Sequence, residues 1–153
     1  MRENFDVALH FTLGAEGVFS DDPEDSGNWT GGKKGVGTLK GTKYGISARA
    51  YPDLDIKDLA PEQAAAIYRR DYWDKCGCDS LAYPLDVAVF DTSVNCGVGG
   101  AGKILARSSG FIDFLFKRIA YYISLKGDAP DGWFQRCVDL YERFVNPRGT
   151  HDF

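Results

Sequence analysis

The stretch Glu16-Gly17-Val18-Phe19-Ser20-Asp21-Asp22-Pro23-Glu24-Asp25-Ser26-Gly27, followed after a glycine- and lysine-rich interval by Thr42-Lys43-Tyr44-Gly45-Ile46-Ser47, decides how this chain reads. Residues 3–15 before it carry Phe5, Ala8, Leu9, Thr12 and Leu13 at intervals of three and four, the period of a helix with one apolar face. Glu16 falls on that same stripe. A carboxylate on the apolar face of a helix exit is expected to be partly buried, and burial raises its pKa by disfavouring the charged form. That is the property a general acid needs near neutral pH.

Outward from this point the chain reads as helices around one irregular lobe. Residues 20–46 hold seven glycines, four lysines and two Asp-rich turns, with Gly37-Thr38-Leu39-Lys40 as the candidate for a small hairpin. Pro61 suits the first turn of a helix that carries Ala64, Ile67, Tyr68 and Tyr72 on one face. Residues 84–95 are apolar almost all round, which predicts a buried central helix. Residues 103–125 read as helix interrupted at Gly110, and residues 131–145 as a closing helix with Phe134, Val138, Tyr141 and Val145 as its stripe. No repeat or linker separates these parts. The expected fold is therefore mainly α (α+β), a single domain over residues 1–153. Its catalytic part, residues 1–100, holds the loop lobe 20–47, and the helices of 103–153 pack on it. A lobe hung between helices would set the Glu16 helix end at the mouth of a cleft.

Composition narrows the function classes. With 153 residues the chain can bury ~70% of its unfolded surface without disulfides or metal. A net charge of -4 and a pI near 5.1 argue against a nucleic-acid binder, whose domain is usually basic. No run of eighteen apolar residues spans a membrane, and the start Met1-Arg2-Glu3-Asn4-Phe5-Asp6 lacks the pattern of a signal peptide. Synthesis in the cytoplasm without a leader is the expectation.

The order Glu-Gly-x-Phe at residues 16–19, Asp-Pro-x-Asp-x-Gly at 22–27, Thr-x-Tyr-Gly-Ile-Ser at 42–47 and Ala-Tyr-Pro-x-Leu-Asp-Ile at 50–56 resembles the muramidases of glycoside hydrolase family 108. These are lysozyme-like enzymes common among bacteriophage endolysins. The resemblance runs on through Ile67-Tyr68-Arg69-Arg70-Asp71-Tyr72-Trp73 and Phe90-Asp91-Thr92-Ser93-Val94-Asn95-Cys96-Gly97. In the C-terminal third, Arg118-Ile119-Ala120-Tyr121-Tyr122 and Gly132-Trp133-Phe134 look like that family's peptidoglycan-binding segment. Two departures are evident: Val18 stands where the family usually has a second glycine, and residues 28–41 fill a place where many members have two or three residues.

The resemblance implies hydrolysis of the β-1,4 bond between N-acetylmuramic acid and N-acetylglucosamine, with Glu16 as general acid and no metal or cofactor. The partner would be the glycan strands of peptidoglycan, met by a monomer that reaches the wall after membrane permeabilisation, with a holin providing access. Asp25 is the candidate second carboxylate, to orient water or stabilise positive charge; by its residues alone it is equally a turn-former or cap. Asp22 is the runner-up, biased to extended backbone by Pro23. Thr42, Tyr44 and Asn95 are candidates for the substrate-binding wall through a hydroxyl, a stacking ring and a paired amide, and Tyr44 reads equally well as core packing. A lytic transglycosylase, using a single Glu and leaving anhydro ends, and a non-catalytic wall-binding module are the alternatives.

Other signals are set aside. Gly97-Val98-Gly99-Gly100-Ala101-Gly102-Lys103 approaches a phosphate loop, but a helix precedes it and Ile104 replaces the Ser or Thr, so it reads as a connection between helices. Cys76, Cys78, Cys96 and Cys137 lack paired zinc spacing and read as reduced, mostly buried thiols. Lys33, Lys34, Lys40 and Lys43 form a local basic patch. Asp91, in the buried helix, reads as structural, capping backbone groups or pairing with one of Arg69, Arg70 and Lys103.

Overall fold

Helix α1 (Arg2–Leu13) realises the first apolar stripe, burying Phe5 and Ala8 while Leu9, Thr12 and Leu13 stay half-buried. The computed structural model describes residues 2–14, 19–125 and 131–146, so Glu16 lies outside the described residues. The chain divides into two compact units, Leu9–Arg69 and Met1–Ala8 with Arg70–Phe153.

In the unit Leu9–Arg69, a two-stranded antiparallel hairpin pairs β1 (Thr42–Lys43) with β2 (Ile46–Ser47), in the register Thr42 to Ser47 and Lys43 to Ile46. Its turn holds Tyr44 at φ 52° and Gly45 at φ 73°, the two left-handed residues that let a two-residue turn follow strand twist. Gly45 has a second reason to be glycine, since a Cβ there would come 2.6 Å from the Tyr68 hydroxyl. The hairpin thus forms at 42–47 rather than at 37–40, where Leu39 makes only an isolated bridge to Trp29. Helix α2 (Pro61–Tyr68) begins where Pro61 predicted, with the Gln63 side chain accepting from the Ala60 N–H. Ala64, Ile67 and Tyr68 are its buried face, and beyond Tyr68 the chain widens into a π-helical turn, Arg69–Trp73.

In the other unit, α3 (Leu85–Leu105) buries residues 86–93 on every side. Phe5, Trp73 and Phe90 meet with ring centroids 5.4–5.8 Å apart, Phe5 edge-on to both and Trp73 tilted on Phe90, contacts worth ~0.5–1.5 kcal/mol each beyond area burial. The glycine-rich segment begins as the connection between two helical stretches, a kink at Cys96 and Gly97 (φ 80°), and its remaining residues are helical through Leu105. Helix α4 (Phe111–Ser124) follows the break at Gly110, and α5 (Asp131–Phe144) packs on α4. The expected stripe of α5 is corrected. Cys137 and Leu140 are buried, whereas Val138, Tyr141 and Val145 are exposed.

Buried Asp86 accepts from Asn4 Nδ2 at 2.7 Å and from the Val87 N–H. Buried Asp91 is paired with two cations the sequence did not single out, Arg118 and Arg136. Arg118 Nη1, fully buried, stands 2.8 Å from its carboxylate, and Arg136 donates to the other oxygen. Burial works against the charge on Arg118, yet Asp91 and Tyr122 outweigh it and hold its pKa above the ordinary value. Arg118 also donates to the Tyr122 hydroxyl.

All four cysteines are free, Cys78 and Cys137 buried and Cys76 and Cys96 half-buried. A hydrogen bond with Cys78, opposed by burial and helped by Ser93, lowers the Cys76 thiol to about 7, while Cys78 is pushed up. Iodoacetamide should therefore modify Cys76 first, with a rate that rises through about pH 7, and leave the other three cysteines largely unmodified at neutral pH. Peptide mapping after a timed alkylation checks this; equal labelling of Cys96 would contradict it. Among the described residues, no helix is long and apolar enough to cross a membrane, and no three His, Cys, Asp or Glu side chains gather as a metal site.

Candidate active site

The acidic loop is shaped by its own side chains. Asp22 Oδ1 accepts from the Glu24 N–H at 2.9 Å, and Asp25 Oδ1 accepts from the Gly27 N–H at 2.8 Å, capping the short turn Ser26–Asn28. Both residues are exposed, and each commits one carboxylate oxygen to the backbone. The structure therefore realises the turn-forming role of Asp25 through Oδ1.

What joins this loop to the hairpin is Asn28, a residue the sequence reading did not single out. Its side chain is fully buried. Nδ2 donates to the Asp22 carbonyl at 3.0 Å and Oδ1 accepts from Thr42 Oγ1 at 2.7 Å. Its backbone carbonyl accepts from Lys40 and Gly41, and its N–H donates to the Asp25 carbonyl. One amide thus sets the distance between the carboxylate loop and Thr42. The only sequence signal was a polar residue flanked by Gly27 and Trp29, a weak one. Burying such an amide costs several kcal/mol unless it is satisfied, so these bonds are the condition for its position.

Thr42 is fixed at both ends. Its backbone exchanges two hydrogen bonds with Ser20, at 2.8 and 2.9 Å, and its hydroxyl proton goes to Asn28. The oxygen that remains is an acceptor, suited to a water or a sugar hydroxyl. Asp22, Asp25 and Thr42 are thus held in one framework. Tyr44 sits in the hairpin turn, half-buried, with Lys43 Nζ 5.5 Å from its ring centroid and its carbonyl accepting from the Tyr68 hydroxyl. Asn95 belongs to the other unit, where its Nδ2 donates to the Asp91 carbonyl at 2.7 Å and lies 3.3 Å from the Asp91 carboxylate. Its carbonyl oxygen is what it has left to offer a ligand.

The lysines of the basic patch serve this framework too. Lys34 pairs with Glu24, Lys40 donates to the Pro52 carbonyl at 2.6 Å, and Lys43 donates to the Lys57 carbonyl at 2.8 Å. Three of the four lysines of the basic patch are engaged locally. The patch is a brace for the loop more than a free cationic surface.

No curated protein and no solved structure gives a significant match to the chain. The family model for Glycosyl hydrolase 108 matches residues 9–97, a span that takes in the acidic loop, Asn28, the hairpin and Asn95 and stops short of α4 and α5. That span is more than half of the 153 residues, and the chain accordingly belongs to glycosyl hydrolase family 108 and is a glycoside hydrolase.

Proposed function

We propose that the protein is an N-acetylmuramidase that cleaves the β-1,4 bond between N-acetylmuramic acid and N-acetylglucosamine, acting as a phage endolysin on the wall of its host. Family membership supports a lysozyme-like peptidoglycan hydrolase. The observation that carries the finer reading is the Asn28 link, which holds the Asp22–Asp25 loop and an acceptor-only Thr42 together inside the matched span. Glu16 gives its proton to the leaving glycosidic oxygen as the bond to the anomeric carbon breaks. Positive charge then grows on that carbon. Asp25 stabilises that charge or takes the proton of the water that adds, and Thr42 accepts from that water or from a sugar hydroxyl. Asp22, Tyr44 and Asn95 contribute to sugar binding, and neither metal nor cofactor enters the reaction. The enzyme works as a monomer and reaches the wall once a holin has opened the inner membrane.

Turbidity loss of purified peptidoglycan, with product analysis, tests the reading. Reducing muramic ends support hydrolysis. Anhydro ends would make the protein a transglycosylase, and binding without cleavage would make it a wall-binding module. The two carboxylates are separable as well. Asparagine caps a turn about as well as aspartate, so Asp25→Asn keeps the Gly27 hydrogen bond and removes only the charge. Asp25→Asn is expected to lower turnover at least roughly tenfold, while Asp22→Asn changes it by less than about threefold. The opposite ranking would move the role to Asp22.

A further inference from the structure

Helix α4 carries two apolar stripes of equal spacing and packs the less apolar one. Leu115, Arg118 and Tyr122 face inward, because Asp91 meets Arg118 there, and the wholly aliphatic and aromatic stripe of Ile112, Phe116, Ile119 and Ile123 faces away from the core. Phe116 is 67% exposed and Ile123 66%, unusual for side chains of this size. On one side of this ridge a trough of about 420 Å³ runs between α4 and α5, walled by apolar side chains including Leu115, Ile119, Val138 and Tyr141. On its other side a second trough, about 430 Å³, lies between α3 and α4 and is rimmed by Lys103, Arg107 and Lys117 beside Tyr121 and Ser124.

The charges differ between the flanks of the ridge: Lys103, Arg107 and Lys117 line the α3 side, whereas α5 carries Asp139 and Glu142 next to Val138 and Tyr141. Asp113, the acid of α4, is paired with Lys117 at 2.8 Å, whereas Lys103 and Arg107 form no ion pair among the described residues. A chain of net charge -4 thus places uncompensated cations beside its most exposed apolar ridge. That combination fits a surface that is apolar within and anionic at its boundary. A second copy fits less well, since in a two-fold interface the same cationic flank would take part from both sides. At 14 residues α4 is too short to span a bilayer, so it would lie in the interface plane.

From this geometry we infer that the outward face of α4, with Val138 and Tyr141 of α5, docks on an anionic phospholipid bilayer. Phe116 and Ile123 enter the boundary between headgroups and acyl chains, and Lys103 and Arg107 meet lipid phosphates. The surface lies outside the family match and involves none of the residues assigned to glycan cleavage.

Co-sedimentation of the full chain with vesicles tests it. The wild type should bind vesicles rich in phosphatidylglycerol and bind pure phosphatidylcholine vesicles at least roughly tenfold more weakly, with binding that falls as salt rises. Phe116→Ser with Ile123→Ser should abolish binding to both. Lys103→Glu with Arg107→Glu should lower binding to the anionic vesicles alone by roughly tenfold or more, each surface cation being worth about fivefold. Unchanged circular dichroism melting and unchanged peptidoglycan cleavage by these variants would separate the docking surface from the fold and from the proposed activity. No binding to anionic vesicles at low salt, binding indifferent to all four substitutions, or a wild-type dimer in sedimentation that Phe116→Ser turns into monomer would overturn the inference.

Discussion

Glu16→Gln is expected to remove peptidoglycan-lysing activity while leaving the folded protein unchanged. Glutamine keeps the volume and one hydrogen-bonding oxygen and loses the transferable proton, and a general acid contributes typically 10²–10⁴-fold. Turbidity rates at equal concentration of folded protein, compared by melting curve, make the measurement. A variant that kept more than roughly a tenth of wild-type turnover would assign Glu16 a structural role. Its place on the apolar stripe read from the sequence gives a second readout. If burial raises its pKa as the stripe predicts, the acidic limb of activity is controlled elsewhere and the alkaline limb falls as Glu16 loses its proton. Glu16→Gln would leave no residual activity with that alkaline limb.

The second large effect concerns stability. Asp91→Ala should destabilise the protein by about 3–5 kcal/mol, because it leaves Arg118 buried without the carboxylate that neutralises it. Arg136 is partly exposed and can turn toward water; Arg118, fully buried, cannot. For a chain of this size that corresponds to a fall in melting temperature of roughly 10 °C. A second variant separates the loss of a contact from the burial of a bare charge. Asp91→Leu combined with Arg118→Met removes both charges and should recover much of the loss. If Asp91→Ala instead melted within about 2 °C of the wild type, Arg118 would have to be finding water or another acceptor.

Much of the local structure was legible because its causes are local. Pro61 starts α2 since its missing N–H costs nothing in a first turn, and Gly110 closes the break 106–110 at the N-cap of α4. The stretch 84–95, apolar almost all round, read as a buried helix, and α3 buries residues 86–93 on every side. Tyr44-Gly45 escaped attention as a turn. Its left-handed pair includes a tyrosine, which composition does not flag, and so the hairpin was expected a few residues too early. The candidate carboxylates were legible as types, since Asp beside Gly, Ser and Pro makes turns. Their attachment to Thr42 was not, because it passes through Asn28 and hydrogen bonds that span up to 14 residues.

What the sequence determined by itself is the set of elements and the chemistry they can offer. It gives an amphipathic first helix, a carboxylate-bearing loop, a glycine-rich lobe, and later helices rich in apolar residues. Which side of a helix becomes core was decided elsewhere. In α5, Trp133, Cys137, Leu140 and Phe144 recur at the same spacing as Phe134, Val138, Tyr141 and Val145, and periodicity cannot rank two stripes of equal period. The tertiary structure chose the first, burying Cys137 and Leu140. In α4 the same choice fell on the stripe that contains Arg118, against the preference of hydrophobicity alone. A buried Asp91 on α3 compensates the inward burial of that arginine, and such a match exists only once the helices are brought together in space.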